Sequence, residues 1–304
     1  MLLYTHPACL AHDPGIGHPE SPARLRTVLD ALDDPSFAGL VRREAPRATR
    51  AQLARVHAES LIDAVFAAAP SIGHAQLDAD TAMSPDSLEA ALRAAGAVCA
   101  AVDALIDGED TRAFCAVRPP GHHATRDTAM GFCLFNNVAA GATQALTRGL
   151  VRAAIVDFDV HHGNGTQDIF WDDPTVLFVS MHQWPWYPGT GAADDHGPHA
   201  TVWNVPMSPG LPPEQYVDAF QRAVDAATRD FAPDLVLISA GFDSLAGDPL
   251  GGFTLEYEHV ELLTRDIVGR AEVWCGGRVV SSLEGGYVPE RLGVACIAHM
   301  RALE

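Results

Sequence analysis

The chain has 304 residues, 48% of them hydrophobic, with 39 acidic against 20 basic side chains and a net charge of −19. That length and apolar content suit a soluble globular chain with a sizeable core, and no apolar run reaches the roughly 20 residues a membrane span requires. The acidic balance argues against direct binding of nucleic-acid phosphates, which takes Lys and Arg, and is compatible with a cationic substrate or a basic peptide.

The apolar start, Met1 to Tyr4, is short and lacks the basic region of a signal peptide. Cys9, Cys99, Cys115, Cys133, Cys275 and Cys296 form no CxxC pair. Reduced, buried thiols in a cytoplasmic protein are therefore expected, not a disulfide framework or a cysteine-rich zinc site.

In chain order, residues 2–5 read as a strand, and 12–24 as a proline- and histidine-rich loop suited to the wall of a site. In that loop His12 and His18 are expected as surface or hydrogen-bonding residues. Helices follow over 22–32 and 48–68, the second with Thr49 as its expected cap. Residues 69–85 read as a loop whose Ser84 caps a long, alanine-rich helix over 86–106. A strand over 113–117 runs into Arg118-Pro119-Pro120-Gly121-His122-His123, and 131–137 lead into a helix ending near Gly149. Adjacent side chains diverge, so His122 and His123 suit acid–base work better than joint metal ligation.

The strand over 153–160 carries Asp157 and Asp159, with His161 next in the alternation. Two carboxylates and an imidazole beside an apolar run need a partner, and a divalent cation is the most economical one. A short helix over 166–171, a strand over 176–181 and an aromatic loop over 182–191 follow. Beyond them come a strand over 201–205, a helix over 213–231, a strand over 235–239 ahead of Asp243, a helix over 255–271, a strand over 278–283 ahead of Tyr287, and a last helix from 289.

This alternation predicts an α/β fold in one domain over 1–304, a parallel sheet covered on both faces. Ligands of such sheets bind beyond the carboxyl ends of the strands. His122/His123, Asp157–Asn164, Asp243 and Tyr287 all stand there, so they converge on one rim. Asp159, His161 and Asp243 then make a three-ligand site with an open position, as a catalytic metal requires. With a histidine as proton carrier and a tyrosine opposite, the set is suited to metal-assisted amide hydrolysis. No GxSxG or HExxH motif competes.

The set RPPGHHA (118–124), GFCLFNN (131–137), DFDVHHGNG (157–165), PGTG (188–191), SAGFD (239–243) and EGGY (284–287), with HPESPAR (18–24), resembles the zinc-dependent histone deacetylase family, most of all its bacterial class II-like amidohydrolases. The resemblance runs nearly end to end. It implies a three-layer arginase/deacetylase fold on a mostly parallel eight-stranded sheet, and one Zn2+ held by Asp159, His161 and Asp243. It further implies His123 as general base and acid, His122 as its electrostatic partner oriented by Asp157, and Tyr287 on the scissile carbonyl. Phe132, Tyr187 and Gly131 would line the acyl-lysine tunnel, and Arg24 would lie near an internal cavity for acetate exit. A K+ would use Asp157, Ser180 and the backbone carbonyls of Asp159, His161 and Met181.

Asn164 stands where class I members have aspartate, which implies a shifted His123 pKa. Leu250 stands where the polyamine-specific member has glutamate. An acyl-lysine peptide is therefore the favoured substrate, with small acetylated amines as the alternative if Asp78, Asp80, Asp194 or Asp195 lined the rim instead of being solvated loop charges. A two-metal ureohydrolase is disfavoured, because Gly163 and Leu245 stand where its extra carboxylates would be. A non-catalytic acyl-lysine reader would have lost a ligand, the base or the tyrosine, and none is missing.

Overall fold

The computed structural model describes residues 1–304. Its strands are β1 (Leu2–Thr5), β2 (Val41–Glu44), β3 (Ala75–Gln76), β4 (Ala82–Met83), β5 (Arg112–Cys115), β6 (Ala153–Asp157), β7 (Val176–Gln183), β8 (Val202–Met207), β9 (Leu235–Ala240) and β10 (Val279–Leu283). Its helices are α1 (Pro7–Ala11), α2 (Pro22–Ala31), α3 (Arg50–Leu53), α4 (Glu59–Ala68), α5 (Ser87–Ile106), α6 (Asn137–Thr147), α7 (Asn164–Phe170), α8 (Pro213–Ala227), α9 (Tyr257–Cys275) and α10 (Pro289–Leu303). Eight strands form one sheet in the order β2-β1-β5-β10-β9-β6-β7-β8. Every neighbouring pair in it is parallel. Only the small β3–β4 hairpin is antiparallel.

Helices cover both faces. Gly141 of α6 packs on Val98 of α5 and Leu237 of β9, while His299 of α10 reaches Ser281 of β10. Val280 is in register with Leu237, and Ser281 with Ile238, so these contacts lie on opposite faces of the sheet. Strands β6, β7, β9 and β10 are buried along their whole length. Their apolar runs therefore lack the alternation of a half-exposed strand. One cluster of 83 buried apolar residues holds the layers together. No helix is long and apolar enough to cross a membrane, and all six cysteines are free and buried.

Several local expectations are corrected. Residues 48–68 form two helices, because the Ala58 N–H leaves the helical ladder for the Arg126 carbonyl at 2.8 Å and His57 is tied to Thr125 and Asn136. Thr49 does cap the first of them, in a capping box with Gln52. Ser84 does not cap α5: its hydroxyl accepts from the Asp13 N–H and bonds the Ser87 hydroxyl. The strand expected over 153–160 is β6 and ends at Asp157, so Asp159 and His161 sit on irregular backbone beyond it. Edge strand β2, helix α1 and the hairpin inside 69–85 were not anticipated; β2 is exposed along its length and carries no buried-strand pattern.

Candidate active site

Strands β5, β10, β9 and β6 are neighbours at the centre of the sheet, and each delivers one polar segment from its carboxyl end. Asp157, the last residue of β6, accepts the Asp159 N–H on Oδ1 at 3.1 Å and faces Nδ1 of His122 with Oδ2 at 2.9 Å. The chain turns there, and Asp159 accepts the His161 N–H at 2.9 Å and the Gly285 N–H at 2.9 Å. Asp243 accepts the Val160 N–H on Oδ1 at 2.9 Å, while its buried Oδ2 has no hydrogen-bond partner.

Nδ1 of His161 lies 3.0 Å from Asp159 Oδ1 and 3.2 Å from Asp243 Oδ2. One donor atom each from Asp159, His161 and Asp243 falls within 4.8 Å of the others, and all three residues are buried. Gly241 and Gly285 make room for this: a Cβ at either would fall 2.0 Å from Asp159 Oδ2 or 2.1 Å from Asp243 Oδ2. Burial and the neighbouring Asp159 carboxylate push Asp243 up to about 7. Two crowded buried carboxylates, one with an orphaned oxygen, and an imidazole nitrogen between them fit a divalent cation of zinc type.

His122 and His123 behave oppositely. Burial disfavours a charge on His122, but the carboxylates of Asp157 and Asp159 outweigh it and raise this ring to about 10. Burial, with His122 and His161 as cationic neighbours, holds His123 well below its ordinary value. The two rings do not diverge as expected of adjacent residues; their centroids are 4.0 Å apart. His123 Nδ1 faces Asn164 Oδ1 at 2.7 Å, and Asn164 is the first residue of α7.

A cavity of about 240 Å³ opens above these groups. His123, His161 and Tyr287 form its inner end, Gly131, Phe132, Tyr187 and Leu250 its walls, and Asp80 and the exposed Trp186 its mouth. Tyr187 packs edge-on against His123 at 5.1 Å between centroids, and Phe132 against Tyr287 at 5.9 Å. Gly131 and Phe132 both have left-handed backbone, with φ of 58° and 68°. For Phe132 that conformation costs about 1–2 kcal/mol, and it is held by two hydrogen bonds: the Gly131 N–H donates to Asp80 and the Phe132 N–H to Thr81, both at 3.1 Å. A side chain at Gly131 would strike the His123 ring, 2.4 Å from Cδ2.

Burial keeps the Tyr287 hydroxyl well above its ordinary pKa, hence protonated. Arg24, fully buried, lies 4.8 Å over the Tyr287 ring and donates to the carbonyls of Gly286 and Glu284. Glu20 anchors that guanidinium and also Arg118. Ser180 is in register with Asp157 on β7, one residue before Met181, and its hydroxyl bonds His182 at 3.0 Å.

His12 is a buried hydrogen-bonding residue, 2.6 Å from the Ser87 hydroxyl. Asp80 is not a solvated loop charge, since it forms part of the cavity, whereas Asp194 is exposed. Sequence reasoning did not find Thr81, Asp248 or Glu284. The carboxylate of Glu284 accepts the Gly121 and His122 N–H groups, and an acid directly after a buried apolar strand was the available signal.

A family model described as "Histone deacetylase domain" matches residues 18–303. An uncharacterized protein of Synechocystis sp. is 39% identical over 299 residues, covering 97% of this chain and 96% of that one. The histone deacetylase-like amidohydrolase of Pseudomonas aeruginosa is 40% identical over 277 residues, covering 89% of this chain and 73% of its own. The crystal structure of the HDA15 HD domain superposes with a TM-score of 0.93 at 35% identity, covering 99% of this chain and 87% of that one. The chain belongs to the histone deacetylase family, whose chemistry is hydrolytic deacetylation.

Proposed function

We propose that the protein is a zinc-dependent amide hydrolase that removes acetyl or related short acyl groups from lysine side chains of peptides or proteins. The observation that carries this reading is the cavity: Phe132, Tyr187 and Leu250 line it together with His123, Tyr287 and His161, the last of which belongs to the Asp159–His161–Asp243 cluster. Those three residues would hold the metal. Bound there, Zn2+ supplies a Lewis acid that polarises the amide carbonyl and acidifies a water.

The chain's own groups do the rest. The Asn164 oxygen can only accept, so it keeps the His123 proton on Nδ1 and leaves Nε2 free to take a proton from the attacking water. The same Nε2 then hands that proton to the departing amine. His122, held charged by Asp157, stabilises negative charge at this end of the cavity. The Tyr287 hydroxyl donates to the carbonyl oxygen as it becomes an oxyanion. Phe132 and Tyr187 flank the stem and exclude water. K+ would lie by Asp157 and Ser180, with the carbonyls of Asp159, His161 and Met181.

Hydrolysis of small N-acetylated amines is the second reading, and Asp80 in the cavity favours it, since a carboxylate there could pair with a second cationic nitrogen. Against it, Asp80 already accepts from Gly131 and Thr81, and Leu250 adds no charge to the cavity. Measuring kcat/KM for acetyl-lysine peptides, trifluoroacetyl-lysine peptides, N-acetylputrescine and N-acetylspermidine decides between them. The peptides are expected to be the better substrates; a preference for the polyamines of about tenfold or more would overturn the lysine assignment.

A further inference from the structure

Asp248 lies outside the groups that would touch substrate or metal, on the loop between β9 and α9, and is 7% exposed. Its two carboxylate oxygens serve two different segments. Oδ1 accepts the Leu250 N–H at 2.9 Å, and Oδ2 accepts the Tyr287 N–H at 2.7 Å. Leu250 is fixed from its other side too, because its carbonyl accepts the Trp186 indole N–H at 2.7 Å. Three hydrogen bonds thus run from an exposed aromatic at the cavity mouth to the tyrosine at its inner end.

The grip on Tyr287 has a particular form. The Gly286 carbonyl and the Tyr287 N–H belong to one peptide unit. Arg24 holds the carbonyl with Nε at 2.6 Å, and Asp248 holds the N–H. The unit needs such a hold, because Gly286 has a φ of +114° and glycine permits rotations about this peptide that other residues resist. Rotation about the Gly286 Cα–C bond would swing Tyr287 as a whole, and an ångström of displacement at a reacting group costs about 100-fold in rate.

We infer that Asp248 is a positioning residue: by clamping the Gly286–Tyr287 peptide and the Leu250 amide with one carboxylate, it sets the Tyr287 hydroxyl and the cavity wall in a single register. The inference rests on the proposed role of Tyr287. It predicts that losing the clamp reduces turnover through Tyr287 more than it weakens substrate binding.

The test is Asp248→Asn in the full chain, alone and combined with Tyr287→Phe, read by steady-state kinetics on an acetyl-lysine peptide and by amide hydrogen exchange. Asparagine keeps the size but turns an NH2 toward one of the two amides. The single variant should lower kcat by about tenfold to 100-fold with KM moved less than about threefold. Exchange in the peptides containing Leu250 or Tyr287 should speed up by roughly tenfold. In the Tyr287→Phe background the same change should lower kcat less than about threefold further, since residues acting as one unit are not additive. A full multiplicative loss in the double variant, or unchanged exchange and kcat in the single one, would overturn the inference. Should Asp248→Asn not fold, Asp248→Ser, which retains a small acceptor, carries the same two readouts. A wild-type protein that hydrolyses no acyl amide would sink the functional reading instead, and the exchange data would still decide whether Asp248 holds these amides.

Discussion

The Nδ1 atom of His123 lies 2.7 Å from the side-chain oxygen of Asn164, while the Asn164 amide nitrogen points to the Met130 sulfur at 3.4 Å. The contact to sulfur is consistent with the oxygen facing the imidazole, so the neutral ring carries its proton on Nδ1. A neutral partner orients the ring without adding charge, and burial beside His122 and His161 keeps His123 uncharged.

Asn164→Asp should therefore move the pH profile. A carboxylate at 2.7 Å would favour the imidazolium and raise the His123 pKa. In the proposed role of His123 the competent form is the neutral ring, so the acidic limb of kcat/KM should shift to higher pH and activity on that limb should fall. An unmoved limb would show that His123 does not set it.

Tyr287→Phe should lower kcat by about 100- to 1,000-fold, the usual cost of losing one oxyanion donor. Tyr287 is not one of the three residues whose donor atoms cluster, so metal content measured by atomic absorption should stay at the wild-type level. Loss of metal in this variant would contradict the role.

Removing metal should destabilise the fold. Asp159 and Asp243 crowd one buried point, and a cation bound only by the folded chain adds about 2.7 kcal/mol at a free concentration 100 times its Kd. A chelator should lower both Tm and activity, and added Zn2+ should restore them. Asp243→Asn should show the low Tm and low metal content without chelator.

Stability should fall as the medium turns acid. Burial lowers His57 and His182 to about 4, and His162 and His299 to about 3, from an ordinary 6.5. The unfolded chain then binds more protons than the folded one below about 6.5, so unfolding free energy should drop by up to ~1.4 kcal/mol per pH unit for each ring until its folded pKa is reached. Above pH 6.5 this contribution is fully present. His299, held between Thr264 and Ser281, isolates the effect: urea unfolding of His299→Gln should show a flatter pH dependence than the wild type between about 6.5 and 3. Parallel curves would remove His299 from the account.

Much of this was legible in the chain. Alternating apolar runs and helical segments specify a doubly covered parallel sheet, because strands buried on both faces must be apolar throughout. Asp157, Asp159, His161, Asp243 and Tyr287 were legible for a second reason: charged and polar groups directly after such strands have only the sheet rim to occupy. Short-range chemistry was read less well. The helix break at His57 depends on the Arg126 carbonyl, nearly 70 residues away in the chain, and the end of β6 depends on the Asp157 carboxylate turning back to the Asp159 N–H.

What only the tertiary structure decided is how the pieces are held. Asp159 and His161 meet Asp243 because β6 and β9 are neighbours, and Tyr287 faces them because β10 lies beside β9. Asp80 enters the cavity through a hairpin with no sequence signature, and its carboxylate supports the strained Gly131–Phe132 turn. Asp248 reads in sequence as one more loop acid. Its two oxygens find amides 2 and 39 residues away, and the second of these, on Tyr287, is within reach only once the loops after β9 and β10 are packed together. Residue types and their order determine which chemistry is available, since each side chain carries its donors and charges with it. Distances between loops follow from strand order and packing, and these set which of the acids cluster, which accept hydrogen bonds and which only face water.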